Sequence, residues 1–110
     1  MNSMPQKEIF RLHAEVCKAL SHPLRLEVID ILQEGELCFS DILEITGGLK
    51  SNLSQHLGFM VRQGIIRMRK ERTCNYYRLS SVKVAKACDL MREVLTENLK
   101  KHSRYLTAMQ

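Results

Sequence analysis

KSNLSQHLGFMVRQGIIRMRKERTCNYYRL, Lys50 to Leu79, changes its hydrophobic period midway, and that change decides the fold. Up to Gly64, the apolar residues Leu53, Leu57, Met60 and Val61 recur at helical spacing and leave a polar face opposite them. Beyond Gly64 the period drops to two, through Ile66 and Met68, then through Tyr77 and Leu79 across a polar turn. Such alternation predicts a two-stranded hairpin, so a helix should run straight into a hairpin.

Upstream lie three further helical segments. Ile9, Leu12, Val16 and Leu20 make one stripe between Pro5 and Leu20, with Phe10 and Cys17 on a neighbouring one. Pro23 suits the first turn of a second helix, where its missing N–H costs nothing. Leu24, Val28, Ile31 and Leu32 carry that helix to Gly35. A short third helix takes Ile42, Leu43 and Ile45 inward and breaks at Thr46-Gly47-Gly48. Downstream, a long amphipathic helix is expected from Ser81 to about Leu106, with Val84, Cys88, Met91, Leu95, Leu99, His102 and Leu106 along one stripe. The order α-α-α-α-β-β-α describes one α+β domain, mainly helical, over residues 1–110.

The net charge of +5 is localised. Residues 50–72 hold Lys50, Arg62, Arg67, Arg69, Lys70 and Arg72 against the single acid Glu71, so the other residues sum to zero. A basic strip on a neutral body is the footprint of a polyanion-binding protein. No apolar run is long enough to span a membrane, and MNSMPQKEIF has no apolar signal core. The expected compartment is therefore the cytoplasm, where Cys17, Cys38, Cys74 and Cys88 read as free thiols. His13, His22, His56 and His102 fall on separate elements, without a nucleophile–base set or a phosphate loop, so an enzyme is not expected. Nor is an organic cofactor.

Two short helices with a Gly-containing turn, followed by a basic hairpin, make a winged helix-turn-helix. Lys50, Ser51, Asn52, Ser54, Gln55 and Arg62 line the polar face of the fourth helix, where hydroxyls and amides can read base edges. Arg67, Arg69, Lys70 and Arg72 on the hairpin suit phosphates or the minor groove. The last helix carries an apolar stripe too long for one small core to cover, which a second copy would bury.

LSHPLRLEVIDILQEGELCFSDI, SNLSQHLGFMVRQGIIRMRKE and NYYRLS together resemble the ArsR/SmtB family of bacterial winged-helix repressors, over roughly residues 15–81. The resemblance implies a homodimer joined through the first and last helices. It also implies a roughly palindromic double-stranded DNA operator, and an inducer that weakens the grip on it. It puts Lys50, Ser51, Ser54 and Gln55 at base-facing positions, with His56 beside them. The wing tip Arg69–Thr73 has no glycine where the family commonly has one, which leaves its turn geometry open.

The family's inducer sites match only in part. Metalloid sensors resemble ELCxCDL at the start of the third helix; here Cys38 matches the first cysteine and Ser40 replaces the second. A trigonal arsenite site needs about three sulfurs, so Cys38 would have to recruit Cys17, Cys88 or a partner-chain thiol. A zinc-type pattern DxHx10HxxH finds Asp89 and His102, with Met91 and Tyr105 in the other places, and reads as lost. Metal-free thiol chemistry is the third option, because Cys17 and Cys88 lie on helices the family packs together. The default for both is a buried, inert thiol.

Cys38 takes the N-cap place of the third helix, with Asp41 at N3. A thiolate there would accept backbone N–H bonds and feel the positive helix end, while Asp41 and Glu36 disfavour it. Two readings follow. The first is a dimeric, operator-binding repressor released by a thiol-reactive or thiophilic inducer, whether arsenite, a soft metal or a sulfur or redox species. The second is a winged-helix DNA-binding or interaction module without an inducer site.

Overall fold

A computed structural model describes residues 5–108. The elements are α1 (Gln6–Leu20), α2 (Pro23–Ile31), a 3-10 turn (Leu32–Glu34), β1 (Leu37–Cys38), α3 (Phe39–Thr46), α4 (Lys50–Arg62), β2 (Ile66–Glu71), β3 (Cys74–Leu79) and α5 (Val82–Ala108). The strands form one antiparallel sheet in the order β1-β3-β2. Four helices therefore precede a hairpin and a long closing helix, as the change of period predicts.

Local chemistry explains the boundaries. Pro23 opens α2, and the His22 ring caps it by accepting the Leu24 N–H at 3.1 Å through Nδ1. After α4 the chain must turn sharply into the wing. Gly64 takes a positive φ of 76°, and the Ile65 N–H reaches back to the Met60 carbonyl at 3.0 Å. Ser80 then closes the wing at its base, its hydroxyl donating to the Ile65 carbonyl at 2.6 Å.

The core lies where α2, α3 and α4 meet the sheet. Val28, Ile29, Ile42, Leu53, Leu57 and Met60 are fully buried. Ile66 pairs with Leu79 and Met68 with Tyr77, so the alternating residues share one face. Tyr77 and Ile66 are buried in the core, and Met68 emerges at the edge.

The terminal helices behave differently. Ala19 is the only buried residue of α1, while Ile9, Phe10, Leu12 and Val16 stay exposed. In α5, Val84, Ala85 and Cys88 meet the core; Met91, Leu95 and Leu99 continue the same stripe exposed. The radius of gyration, 17.3 Å, exceeds the ~13 Å of a compact chain of about 100 residues because α5 projects away from the body.

Four sequence expectations need correction. The sheet has three strands, because Leu37 and Cys38 pair with Tyr77 and Tyr76 on the free edge of β3. The second helix ends at Ile31, and Leu32–Glu34 tighten into a 3-10 turn. Ile45 is exposed rather than inward: the eight residues of α3 bury one narrow face, through Ile42 and Leu43. Cys17 is exposed on α1 rather than buried. The side chains expected at Tyr105 and Leu106 lie outside the described residues.

The glycine-free wing tip turns on Arg72, which adopts φ 57°. A left-handed conformation costs a residue with a Cβ roughly 1–2 kcal/mol, and glycine gives back part of that gain in unfolded-chain entropy. Arg72→Gly is accordingly expected to raise stability by about 0.5–1 kcal/mol, read as a higher urea midpoint.

Candidate DNA interface and thiol sites

Helix α4 separates cleanly by face. Leu53, Leu57 and Met60 have no exposure, while Lys50, Ser51, Asn52, Ser54, Gln55 and Arg62 are all exposed. The N-cap of the helix is Leu49, which offers no side-chain cap. Its first-turn N–H groups and the small side chains around them are thus open to a ligand. The projecting face is polar and free of acids.

His56 sits differently from its neighbours. It is half-buried and turned toward α2, where the Arg25 Nε–H donates to its Nδ1 at 3.0 Å and the His22 ring lies 4.1 Å away, centroid to centroid. Arg25 also donates from Nη1 to the Ala19 carbonyl at 3.1 Å and lays its guanidinium over Phe59 at 4.1 Å. One arginine thereby joins α1, α2 and α4. Sequence reading passed over Arg25, and no local signal marks it, since its partner lies 31 residues away.

Burial first, then the charges of His22 and Arg25, hold His56 below the ordinary histidine value. The folded state therefore favours neutral His56 more than the unfolded chain does. Its contribution is complete above about pH 6.5 and is lost as pH falls through the lowered value. Between pH 7.5 and 5.5 the melting temperature should fall more for the natural protein than for His56→Asn; thermal denaturation across that range measures the difference.

On the wing, Arg67, Lys70 and Arg72 are exposed. Arg69 is engaged: its Nε and Nη2 donate to Glu36 at 2.9 and 2.6 Å, and its Nη1 to Glu71 at 2.7 Å. The same guanidinium stands 4.5 Å over the Tyr76 ring. Arg69 in turn keeps the Glu36 carboxyl below its ordinary range. Arg78 lies directly opposite Arg67 and adds a basic residue to this face that sequence reading did not include.

Cys38 and Cys88 lie in separate settings. Cys38 occupies the N-cap position of α3, as its place in the motif predicts, yet its side chain makes no capping bond; Sγ lies 3.1 Å from the Ser40 hydroxyl. Cys88 packs against the core, and burial pushes its thiol up. Cys17 and Cys74 are exposed. Alternation explains the separation: Leu37 and its partner Tyr77 face the core, so Cys38 and its partner Tyr76 lie on the outer sheet face, away from Cys88.

Within one chain Cys38 has the Ser40 hydroxyl beside it at 3.1 Å, where the metalloid motif has its second thiolate. No three His, Cys, Asp or Glu side chains converge on a metal position among the described residues. At the zinc-type position, Asp89 is taken up by Gln33, whose Nε2 donates at 3.1 Å, and by Arg92 at 3.3 Å. His102 is exposed on the projecting part of α5.

A family model described as bacterial regulatory protein, arsR family, matches residues 22–68. The HTH-type transcriptional regulator Rv0081 of Mycobacterium tuberculosis is 31% identical over 97 residues, covering 87% of this chain and 85% of its own. The crystal structure of Rv0081 superposes with a TM-score of 0.76, covering 91% of this chain and 98% of that one at 30% identity. The solution structure of a homodimeric winged helix-turn-helix DNA-binding domain from Mycobacterium bovis, Mb0332, also gives 0.76, at 29% identity over 92% and 95% of the two chains. The biofilm growth-associated repressor of Xylella fastidiosa is 36% identical over 72 residues, 66% of this chain and 63% of its own.

Proposed function

Because this chain belongs to the arsR family of bacterial regulatory proteins, we propose that it is a homodimeric transcriptional repressor that binds a palindromic operator and lets go when Cys38 reacts. The protein is a transcriptional regulator and not an enzyme, as its relatives are regulators. No helix among the described residues is long and apolar enough to cross a membrane; a DNA-binding regulator would work beside DNA, in the cytoplasm.

The observation that carries the DNA reading is the division of α4 into a fully buried apolar face and an exposed face of Lys50, Ser51, Asn52, Ser54, Gln55 and Arg62. That face fits the major groove. Lys50, Ser51, Ser54 and Gln55 approach base edges, while Arg62, near the helix end, takes a phosphate. The exposed wing residues Arg67, Lys70 and Arg72 follow the adjacent backbone or minor groove. His56 serves mainly to seat the helix on α2. The exposed stripes of α1 and α5 join two copies, setting two recognition helices one helical turn apart on DNA.

The sensing part rests on Cys38. It is half-buried and lies between the helix-turn-helix and the wing, so an adduct there disturbs both. The ligand class is a thiophilic ion or a sulfur or redox species. An inducer-free module is the competing reading, supported by the hydroxyl of Ser40 in the second thiol's place.

Fluorescence anisotropy with palindromic and scrambled duplexes tests both parts. The palindrome should bind far more tightly, with affinity falling linearly in log–log salt dependence by about 0.9 per phosphate neutralised. Cys38→Ser should bind equally well but resist release by phenylarsine oxide, Cu(I) and polysulfide. Equal affinity for both duplexes overturns operator specificity. Unaltered release of the serine variant overturns sensing at Cys38.

A further inference from the structure

Cys74 is exposed at the start of β3, on the sheet face opposite Tyr77 and Leu79. The ladder shows what stands beside it there. Cys38 lies directly opposite Tyr76 across β1 and β3, and Cys74 precedes Tyr76 by two residues on the same strand. Alternation puts all three side chains on the outer face, with Cys38 and Cys74 as diagonal neighbours flanking the phenol. Both thiols can be reached, Cys74 being exposed and Cys38 half-buried.

From this juxtaposition the geometry points to a two-thiolate site, Cys38 and Cys74, for a two-coordinate soft monovalent cation such as Cu(I). The inference rests on the reading of Cys38 as the reactive thiol, and it names the second sulfur and the ligand class. Diagonal neighbours on an antiparallel ladder stand about 7–8 Å apart at Cα, beyond the ~4.4–6.8 Å that a disulfide spans. A direct S–S bond would have to pull the strands together. An ion between the sulfurs adds one atom and a second bond to the bridge, and closes the gap without that movement. Soft thiolates are the ligands such ions select.

On binding, each thiol releases its proton to water, and two thiolates with one monovalent ion leave a single negative charge. Arg69, directly opposite Tyr76 across β2 and β3 and 4.5 Å over its ring, is a cation on the same sheet face. Ion binding would draw Arg69 from Glu36 and change the wing face that touches DNA. The signal would then reach DNA through the sheet itself, with no step through α5.

Anaerobic titration of the full-length dimer with Cu(I), in competition with bicinchoninate, tests this. One ion should bind per protomer, with a thiolate-to-copper absorption band in the near ultraviolet and altered tyrosine emission, which no tryptophan masks. Cys38→Ser and Cys74→Ser should each lose the ion, and the Cys17→Ser/Cys88→Ser double variant should keep it. If Cys74→Ser binds as well as the natural protein, the two-thiolate site is overturned, while sensing at Cys38 survives wherever Cys38→Ser still blocks operator release. If Cys38→Ser both binds the ion and is released normally, both readings fall.

Discussion

Leu95→Glu/Leu99→Glu should leave the winged domain folded, make the protein monomeric and lower operator affinity by about 10²–10⁴-fold. Both residues lie on the projecting part of α5, 54% and 58% exposed, and neither belongs to the core of its own chain. Carboxylates there cost the isolated chain little. At an interface they must be desolvated without a partner, facing their own copies across a two-fold axis. A monomer keeps one recognition helix and one wing, and so keeps half-site affinity. What it loses is the second binding event, which the dimer makes intramolecular. Analytical ultracentrifugation reports the assembly, circular dichroism the fold, and anisotropy the affinity for whole and half operators. A double variant that remained dimeric would remove the terminal helices from the interface.

The same contrast shows what could be read from residues alone. Ile66, Met68, Tyr77 and Leu79 announce the hairpin and the face it buries, because a strand with one buried face must alternate; the structure adds the register, pairing Ile66 with Leu79 and Met68 with Tyr77. The buried face of α4 was legible for the same reason: Leu53, Leu57 and Met60 repeat at a period that only a helix satisfies. Strand β1 was not legible, since two residues show no period, and Leu37–Cys38 become a strand only through the edge of β3. That missing strand hid the setting of Cys38. Without it, the thiol reads as the start of a helix near α1 and α5; with it, its neighbours are Tyr76 and Cys74. What Arg25 and Glu36 bind escaped notice for a related reason. Each looks like an ordinary surface charge, and each is defined by a partner about thirty residues away, His56 for one and Arg69 for the other.

Leu57→Ala is expected to cost about 2–5 kcal/mol, the range for emptying a fully buried leucine site. Leu57 has no exposure and lies midway along α4, between Leu53 and Met60, where the helix presses on the core. A domain of this size holds only about 5–15 kcal/mol in total, so the substitution removes a large share of it. Ile45→Ala is the matched control: Ile45 is 53% exposed on α3, and surface substitutions usually stay within about 0.5 kcal/mol. Urea denaturation of both variants at one protein concentration gives the comparison, with the concentration held fixed because dimerisation adds to apparent stability. Operator affinity sharpens the interpretation. If the buried face only stabilises, the folded fraction of Leu57→Ala should bind as the natural protein does. If it also aims Ser54 and Gln55, on the opposite side of the same turns, affinity should fall further than the loss of folded protein explains. The clamp of Arg25 on His56 and Phe59 holds the helix at that level from α2, which favours the first outcome. A Leu57→Ala protein as stable as Ile45→Ala would mean that α4 is not seated on this core, and the division of its faces would lose its meaning for DNA.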